Sequence, residues 1–151
     1  MSIEKKSGSD YLIHTEITIN APRQKVWEVL TDFDKMPEWS SSFQGVDGDF
    51  KEGGIIVSKY KMPFGKMAKV EHPLVTCVEG EEFSWSSDIG LGMIDHHIFR
   101  LESIYENTTK FVQTDEPHDG ATRILGGVVS HMLENMYHKF NTELKERVEN
   151  L

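Results

Sequence analysis

The sequence predicts an α+β domain in which a curved antiparallel sheet of about seven strands wraps one long C-terminal helix, with two short helices after the first strand. Three observations predict it. Tyr11 to Ile19 alternates with a period of two, the mark of a half-buried strand. Phe43 to Glu116 reads as successive strands separated by glycine- and proline-bearing turns. From about Thr122 the apolar residues recur at spacings of three and four, which is one buried helical stripe. Helix segregated to one face of an antiparallel sheet is the α+β arrangement.

In the first strand Tyr11, Ile13, Thr15, Ile17 and Ile19 share a face, with the isoleucines inward and His14 outward. Asn20-Ala21-Pro22 ends it and opens a helix. Asn20 suits the N-cap, and Pro22 suits the first turn, where its missing N–H costs nothing. That helix is expected to bury Val26, Trp27 and Leu30, and a second helical piece is expected near Lys35 to Trp39. Ile55 to Met62 and Lys66 to Val78 read as a hairpin around Pro63-Phe64-Gly65, and Pro73 argues for an edge or a bulge. Glu82 to Asp88, Met93 to Tyr105 and Thr109 to Glu116 complete the strands. The final stripe contains Leu125, Val128, Val129, Met132, Leu133, Met136, Tyr137, Phe140, Leu144 and Val148. At 1.5 Å per residue this helix is roughly 40 Å long, enough to cross a domain of this size.

The chain has 151 residues, read as a single domain over residues 10–151 behind a flexible tail over residues 1–9. That is long enough to build a core without metal or disulfide staples. Cys77 stands alone, so no intrachain disulfide forms. The formal net charge of -9 disfavours phosphate backbones, and no nucleic-acid partner is expected. The N-terminal residues lack the apolar segment of a secretory signal, and no run of about 18 apolar residues offers a membrane span. A cytoplasmic monomer or homodimer is the expectation.

Most catalytic chemistry fails on spacing. His96 and His97 are adjacent on a strand and point to opposite faces. His131 and His138 are seven residues apart, about 10 Å along a helix. His72 and His118 show no partners, so no metal and no cofactor is expected. Cys77 lies within a strand, where free cysteine is usually inert packing. No Gly-x-Ser-x-Gly elbow or phosphate loop occurs. Acid–base chemistry survives the test: His97, with Asp95, Gln113 and Asp115, converges at one end of the sheet interior if strand parity holds.

The segment "APRQKVWEVLTDFDKMPEW" resembles the opening of the START-like superfamily, also called SRPBCC. "DHHIFRLESI" is similar to its penultimate strand, "NTTKFVQTDEPHDG" to its last strand, and "FNTELKERVE" to its closing helix. The resemblance runs from about Leu12 to Glu149 and is nearest to the polyketide cyclase/dehydrase-like branch. It implies a helix-grip fold with a cavity for a hydrophobic or amphipathic molecule. It does not imply one reaction, because the superfamily holds lipid carriers, hormone receptors, quinone binders, cyclases and chaperone activators.

With that cavity implied, strand parity and helix spacing nominate its lining. Tyr60, Met62, Phe83, Trp85, His97, Phe99, Phe111 and Gln113 come from the strands. Val129, Met132 and Met136 come from the helix, and Trp39 and Phe64 are candidates for its entrance. The leading functional expectation is binding of a lipid, quinone or polyketide-like aromatic. The runner-up is a cyclase/dehydrase-type enzyme using His97 with Asp95 or Asp115. A third is a chaperone-activator-like interaction protein, which an exposed apolar patch on the outer sheet face would favour; the outward positions His14, Glu16, Arg100 and Glu102 are polar instead.

Overall fold

A computed structural model of the chain describes residues 2–5 and 10–151. Strands β1 (Ser2–Lys5) and β2 (Tyr11–Ile19) lead into helix α1 (Arg23–Thr31) and a 3₁₀ turn at Met36–Glu38. Then follow β3 (Phe43–Gly48), β4 (Ile55–Lys61), β5 (Met67–Val78), β6 (Glu82–Gly90), β7 (Met93–Tyr105) and β8 (Thr108–Asp115). Helix α2 (Thr122–Glu149) closes the chain. All eight strands join one sheet in the order β1-β2-β8-β7-β6-β5-β4-β3, and every pairing is antiparallel.

The six strands delimited from sequence are β2 and β4 to β8, and β3, in the glycine-punctuated stretch that begins at Phe43, makes the seventh. The eighth corrects the reading of residues 1–9 as a tail: Ser2–Lys5 pairs with Tyr11 to His14 as an edge strand. Its short, polar sequence carries no period-two pattern to announce it. Met1 and residues 6–9 lie outside the described residues. A second correction concerns Asn20. Pro22 occupies the N-cap position of α1, and Asn20 instead donates its backbone N–H to Glu149 Oε1 at 2.7 Å, tying the start of α1 to the end of α2. Pro73 pairs with Ile55 of β4 alone and stands just before the register shift between Leu74 and Thr76 against β6, so it sits at a one-sided position beside a bulge, as expected.

Helix α2 packs chiefly along β2, and its two halves bury different faces. The C-terminal half turns Tyr137, Phe140, Leu144 and Val148 inward, as the apolar spacing predicts. The N-terminal half buries Thr122, Gly126 and Ser130, a small-residue face, and leaves Val128 and Met132 exposed. The cause is close approach to β2: a Cβ on Gly126 would lie 2.4 Å from the Tyr11 ring. The start of α2 is fixed by a second close approach, where a Cβ on Gly120 would fall 2.3 Å from the carbonyl carbon of Gly92. The Ala121 N–H donates to Leu91 O beside it at 3.1 Å.

The inner sheet face and α2 enclose an aromatic core. Phe83 stacks on Phe99 at 4.5 Å, Trp85 lies 5.0 Å from Phe99, and Phe43 bridges to Phe140 on the helix at 5.9 Å. Such pairs add about 0.5–1.5 kcal/mol each beyond the area they bury. The outer face carries ion pairs, with Arg100 on Glu82 at 2.8 Å and Lys110 on Glu102 at 3.0 Å.

The adjacent glycines of α2 are predicted to respond with opposite signs. Gly126→Ala places a methyl against the Tyr11 ring and costs about 1–3 kcal/mol by overpacking. Gly127→Ala meets only the Tyr11 hydroxyl, at an ordinary 3.6 Å, and gains about 0.5–1 kcal/mol from helix propensity. Urea unfolding of both variants checks the pair; equal effects would refute this account of the helix–strand approach.

Candidate functional site

Strand β7 alternates cleanly, burying Asp95, His97, Phe99 and Leu101. Strand β8 buries Phe111, Gln113 and Asp115 beside them. The register sets His97 opposite Asp115 and Phe99 opposite Gln113. Three aromatic or apolar neighbours would be the ordinary content of such a face. Here polar groups take one end of it: Asp95, His97, Gln113 and Asp115 are all at most 5% exposed.

Two hydrogen-bonded chains tie Gln113 and Asp115 to α2, and Asp95 is bonded within the sheet. His97 Nε2 lies 2.8 Å from Gln113 Oε1. The Gln113 amide donates to Asn141 Oδ1 at 2.6 Å and to the Tyr137 carbonyl at 3.4 Å. Asn141 in turn donates to Thr15 Oγ1 on β2 at 3.1 Å. With the Gln113 amide oriented this way, His97 Nε2 carries the proton and donates. In the second chain the Tyr137 hydroxyl donates to Asp115 Oδ2. Asp95 Oδ1 accepts from the Ser87 N–H at 3.2 Å and the Ser87 hydroxyl at 2.9 Å. Asp115 Oδ1 is buried without a hydrogen-bond partner. One nitrogen or oxygen atom from each of Asp95, His97 and Asp115 lies within 4.8 Å of one from each of the others.

Burial decides the protonation of this cluster. Desolvation lowers the His97 imidazole to about 4, against the opposing pull of the Asp95 charge. Desolvation pushes the Asp115 carboxyl well above its ordinary range, and the Asp95 charge pushes the same way. The Tyr137 phenol is raised by burial and then by the charges of Asp115 and Asp95.

The space beside the cluster is small. A cavity of about 20 Å³, the size of one water molecule, lies among Ser42, Phe43, Tyr60, His97, Phe99, Gln113, Met136, Tyr137 and Phe140. Five of the residues nominated from sequence line it: Tyr60, His97, Phe99, Gln113 and Met136. Phe83, Trp85 and Phe111 are fully buried core, one layer behind or beside it. Val129 is partly buried on α2. Met62, Phe64 and Met132 stand exposed, Phe64 completely so at a turn with φ of 65°. Trp39 packs on Phe140 at 5.2 Å and lines a separate surface crevice of about 140 Å³ with Val29, Arg147 and Leu151. His97 is inward as expected, but its hydrogen-bond partner is Gln113 and neither carboxylate.

Phe43, Tyr137 and Phe140 line the cavity and were not among the nominated residues. Asn141 carried a legible signal: an amide four residues from Tyr137 on the buried stripe is unexpected unless it meets a polar partner. The Asp95, His97 and Asp115 group was nominated from sequence for acid–base chemistry, and the structure brings the three together; the metal-spacing test compared histidines alone and did not consider this set.

An antiparallel sheet closed on a single long C-terminal helix is the START-like helix-grip fold. The chain belongs to the polyketide cyclase / dehydrase and lipid transport family, whose sequence profile matches residues 12–149. No curated protein matches it in sequence. Among solved structures it is similar to Ara h 8.0201, at 15% identity and a TM-score of 0.73 over 94% of this chain and 99% of that one. A START superfamily protein from Mycobacterium smegmatis gives 13% identity and a TM-score of 0.72, covering 92% and 97%. Norcoclaurine synthase from Thalictrum flavum, in complex with dopamine and hydroxybenzaldehyde, gives 12% and 0.68, covering 93% and 87%. At these identities the likeness is one of fold. The family supports a helix-grip fold for hydrophobic ligands, and no helix among the described residues is long and apolar enough to cross a membrane.

One buried histidine outside the cluster makes a pH prediction. His72 is 5% exposed, bonded to Ser58 Oγ at 2.8 Å, and desolvation lowers its pKa below the ordinary value. The unfolded chain therefore gains a proton, at about pH 6.5, before the folded chain does. Stability falls as pH drops below that point, by up to about 1.4 kcal/mol per pH unit from this group, until the folded pKa is passed. Urea unfolding of wild type and His72→Phe between about pH 7.5 and 5 should give a shallower slope for the variant. Parallel slopes would show that His72 protonates equally in both states.

Proposed function

We propose that the protein binds a small, flat amphipathic molecule, of the quinone or aromatic polyketide kind, between the sheet and α2. The observation that carries this reading is a hydrogen-bonded polar chain ending at His97 in a space walled by Phe43, Tyr60, Phe99 and Phe140. Burying these polar groups costs stability that apolar residues would not, while ring-lined walls with a few placed polar groups are what small-molecule sites require. Flat rings favour stacking over the contacts of a lipid chain.

The cavity as it stands admits no such ligand, so binding requires side chains to yield. Tyr60 and Met136 are partly buried, and they are the wall members free to move without breaking the buried chains. A methionine also adapts to irregular shapes. In this reading the closed interior is the resting state, and the ligand takes the place of these two side chains.

A second reading, acid–base catalysis on the bound molecule, is favoured by one observation: His97 has Asp95 and Asp115 within 4.8 Å. His97→Gln separates the two, because a base is lost while hydrogen bonding to Gln113 is kept. A catalyst loses turnover and a binder only modest affinity.

Thermal melting with naphthoquinones, aromatic polyketide analogues and long-chain fatty acids tests the binding. A ligand at 100 times its Kd stabilises by about 2.7 kcal/mol, a rise of roughly 5–10 °C at this chain length. Met136→Trp should fill the space and abolish the rise. No response to any of the three classes would overturn the proposal, and a response to fatty acids alone would replace the flat ligand by a lipid.

A further inference from the structure

We propose that Asp95, His97 and Asp115 form a binding site for one divalent transition-metal ion, of the kind that takes mixed carboxylate and imidazole ligands. The inference shares His97 with the organic ligand site but does not depend on that ligand.

The three residues come from neighbouring strands held in fixed register, His97 directly opposite Asp115 and Asp95 two residues along the same face. Bonds of about 2.0–2.2 Å allow ligand atoms to stand up to about 4.4 Å apart. The set already lies within 4.8 Å, so a few tenths of an ångström of inward movement closes it.

Each of the three is also held as metal ligands are held. A metal-binding side chain usually has its other polar atom fixed by an outer hydrogen bond. Asp95 Oδ1 is fixed by Ser87, Asp115 Oδ2 by the Tyr137 hydroxyl, and His97 Nε2 by Gln113. Each of these bonds occupies one polar atom, and each side chain has a second that can serve an ion. Asp115 Oδ1 is buried with no hydrogen-bond donor supplied to it by the chain; its side-chain neighbour is the Asp95 carboxyl, so only a proton or a cation between the two can partner it. Among the described residues neither carboxylate forms an ion pair with a lysine or arginine, so two acidic groups sit inside the protein with no cation from the chain to balance them. An oxygen-oxygen-nitrogen set with open positions suits Zn²⁺, Mn²⁺, Fe²⁺ or Co²⁺.

The test uses the full chain, stripped with a chelator and titrated with Zn²⁺, Mn²⁺ and Co²⁺ alone, with no organic ligand present. Calorimetry, thermal melting and the visible spectrum of the Co²⁺ form are the readouts. One ion per chain, a raised melting temperature and a Co²⁺ spectrum of low-symmetry coordination are expected. Asp115→Asn should weaken binding at least 100-fold, an effect larger than the about 10–100-fold expected of Gln113→Leu, which removes only an outer hydrogen bond. Asp115→Asn keeps an acceptor for Tyr137 and removes one of two neighbouring carboxylates, so it retains the fold if His97→Gln does not. Failure of all three ions to bind or to raise the melting temperature would overturn the proposal and leave a proton between the carboxylates in the metal's place. Binding unchanged by Asp115→Asn would assign the ion to the surface and overturn it equally. Either failure leaves the ligand melting experiment unaffected, so the two proposals fall separately.

Discussion

The hydrogen bond from Gln113 to Asn141 sets the register on which the site depends. Both side chains are at most 1% exposed, so each must find a partner or forfeit about 1–3 kcal/mol of desolvation. Their bond, with that from Asn141 to Thr15, locks one point of α2 over β2 and β8. An apolar stripe alone tolerates sliding and rotation of a helix on a sheet; a buried amide pair does not. Once Asn141 is fixed, Tyr137 one turn earlier falls over His97, at 4.5 Å between rings, and its hydroxyl reaches Asp115. Phe140 falls against Phe43 and Phe111.

That register explains the asymmetry of α2. Holding the C-terminal half in place rotates the N-terminal half so that Gly126 and Ser130 face β2. The larger residues Val128 and Met132 then turn outward, although the sequence pattern offers them equally for burial. The helix is one continuous element with two burial regimes: tight backbone approach at Tyr11 and side-chain interlock at Tyr137 to Val148. The cavity lies on the interlocked side, where space depends on side-chain conformation and not on the backbone.

The fold was legible because each element had a local cause. The period of two in β2 and β7, the glycine and proline turns, and the three-four spacing of α2 each require only neighbouring residues to be read. The alternation of β7 even placed His97 and Asp95 indoors. What the sequence could not carry was register between distant segments. The pairing of His97 with Gln113, the approach of Asp95 to Asp115 and the choice of helix face all depend on contacts far apart in the chain. Parity assigns a face to a side chain but no depth along it, so Phe83, Trp85 and Phe111 were rightly placed inward and are core, while Met132 was placed by helical spacing that the close approach at Gly126 overrides. Residues Ser2–Lys5 were illegible for a different reason. Their pairing is supplied by β2, and nothing in four mostly polar residues requires it.

The inner face therefore carries two kinds of information. Its aromatic part is replaceable in principle, since rings of similar volume would fill the same space and hold the same helix. Its polar end is not explained by stability. Two carboxylates buried side by side raise one another's cost of ionisation, and well-packed apolar residues at Asp95 and Asp115 would be neutral or stabilising. The outer hydrogen bonds from Ser87, Tyr137 and Gln113 do not remove that cost; they fix the geometry of the groups that incur it. A fold shared with proteins of 12–15% identity specifies the grip of sheet on helix. What distinguishes this chain's interior from the shared grip is the few polar side chains held there against their own energetic preference.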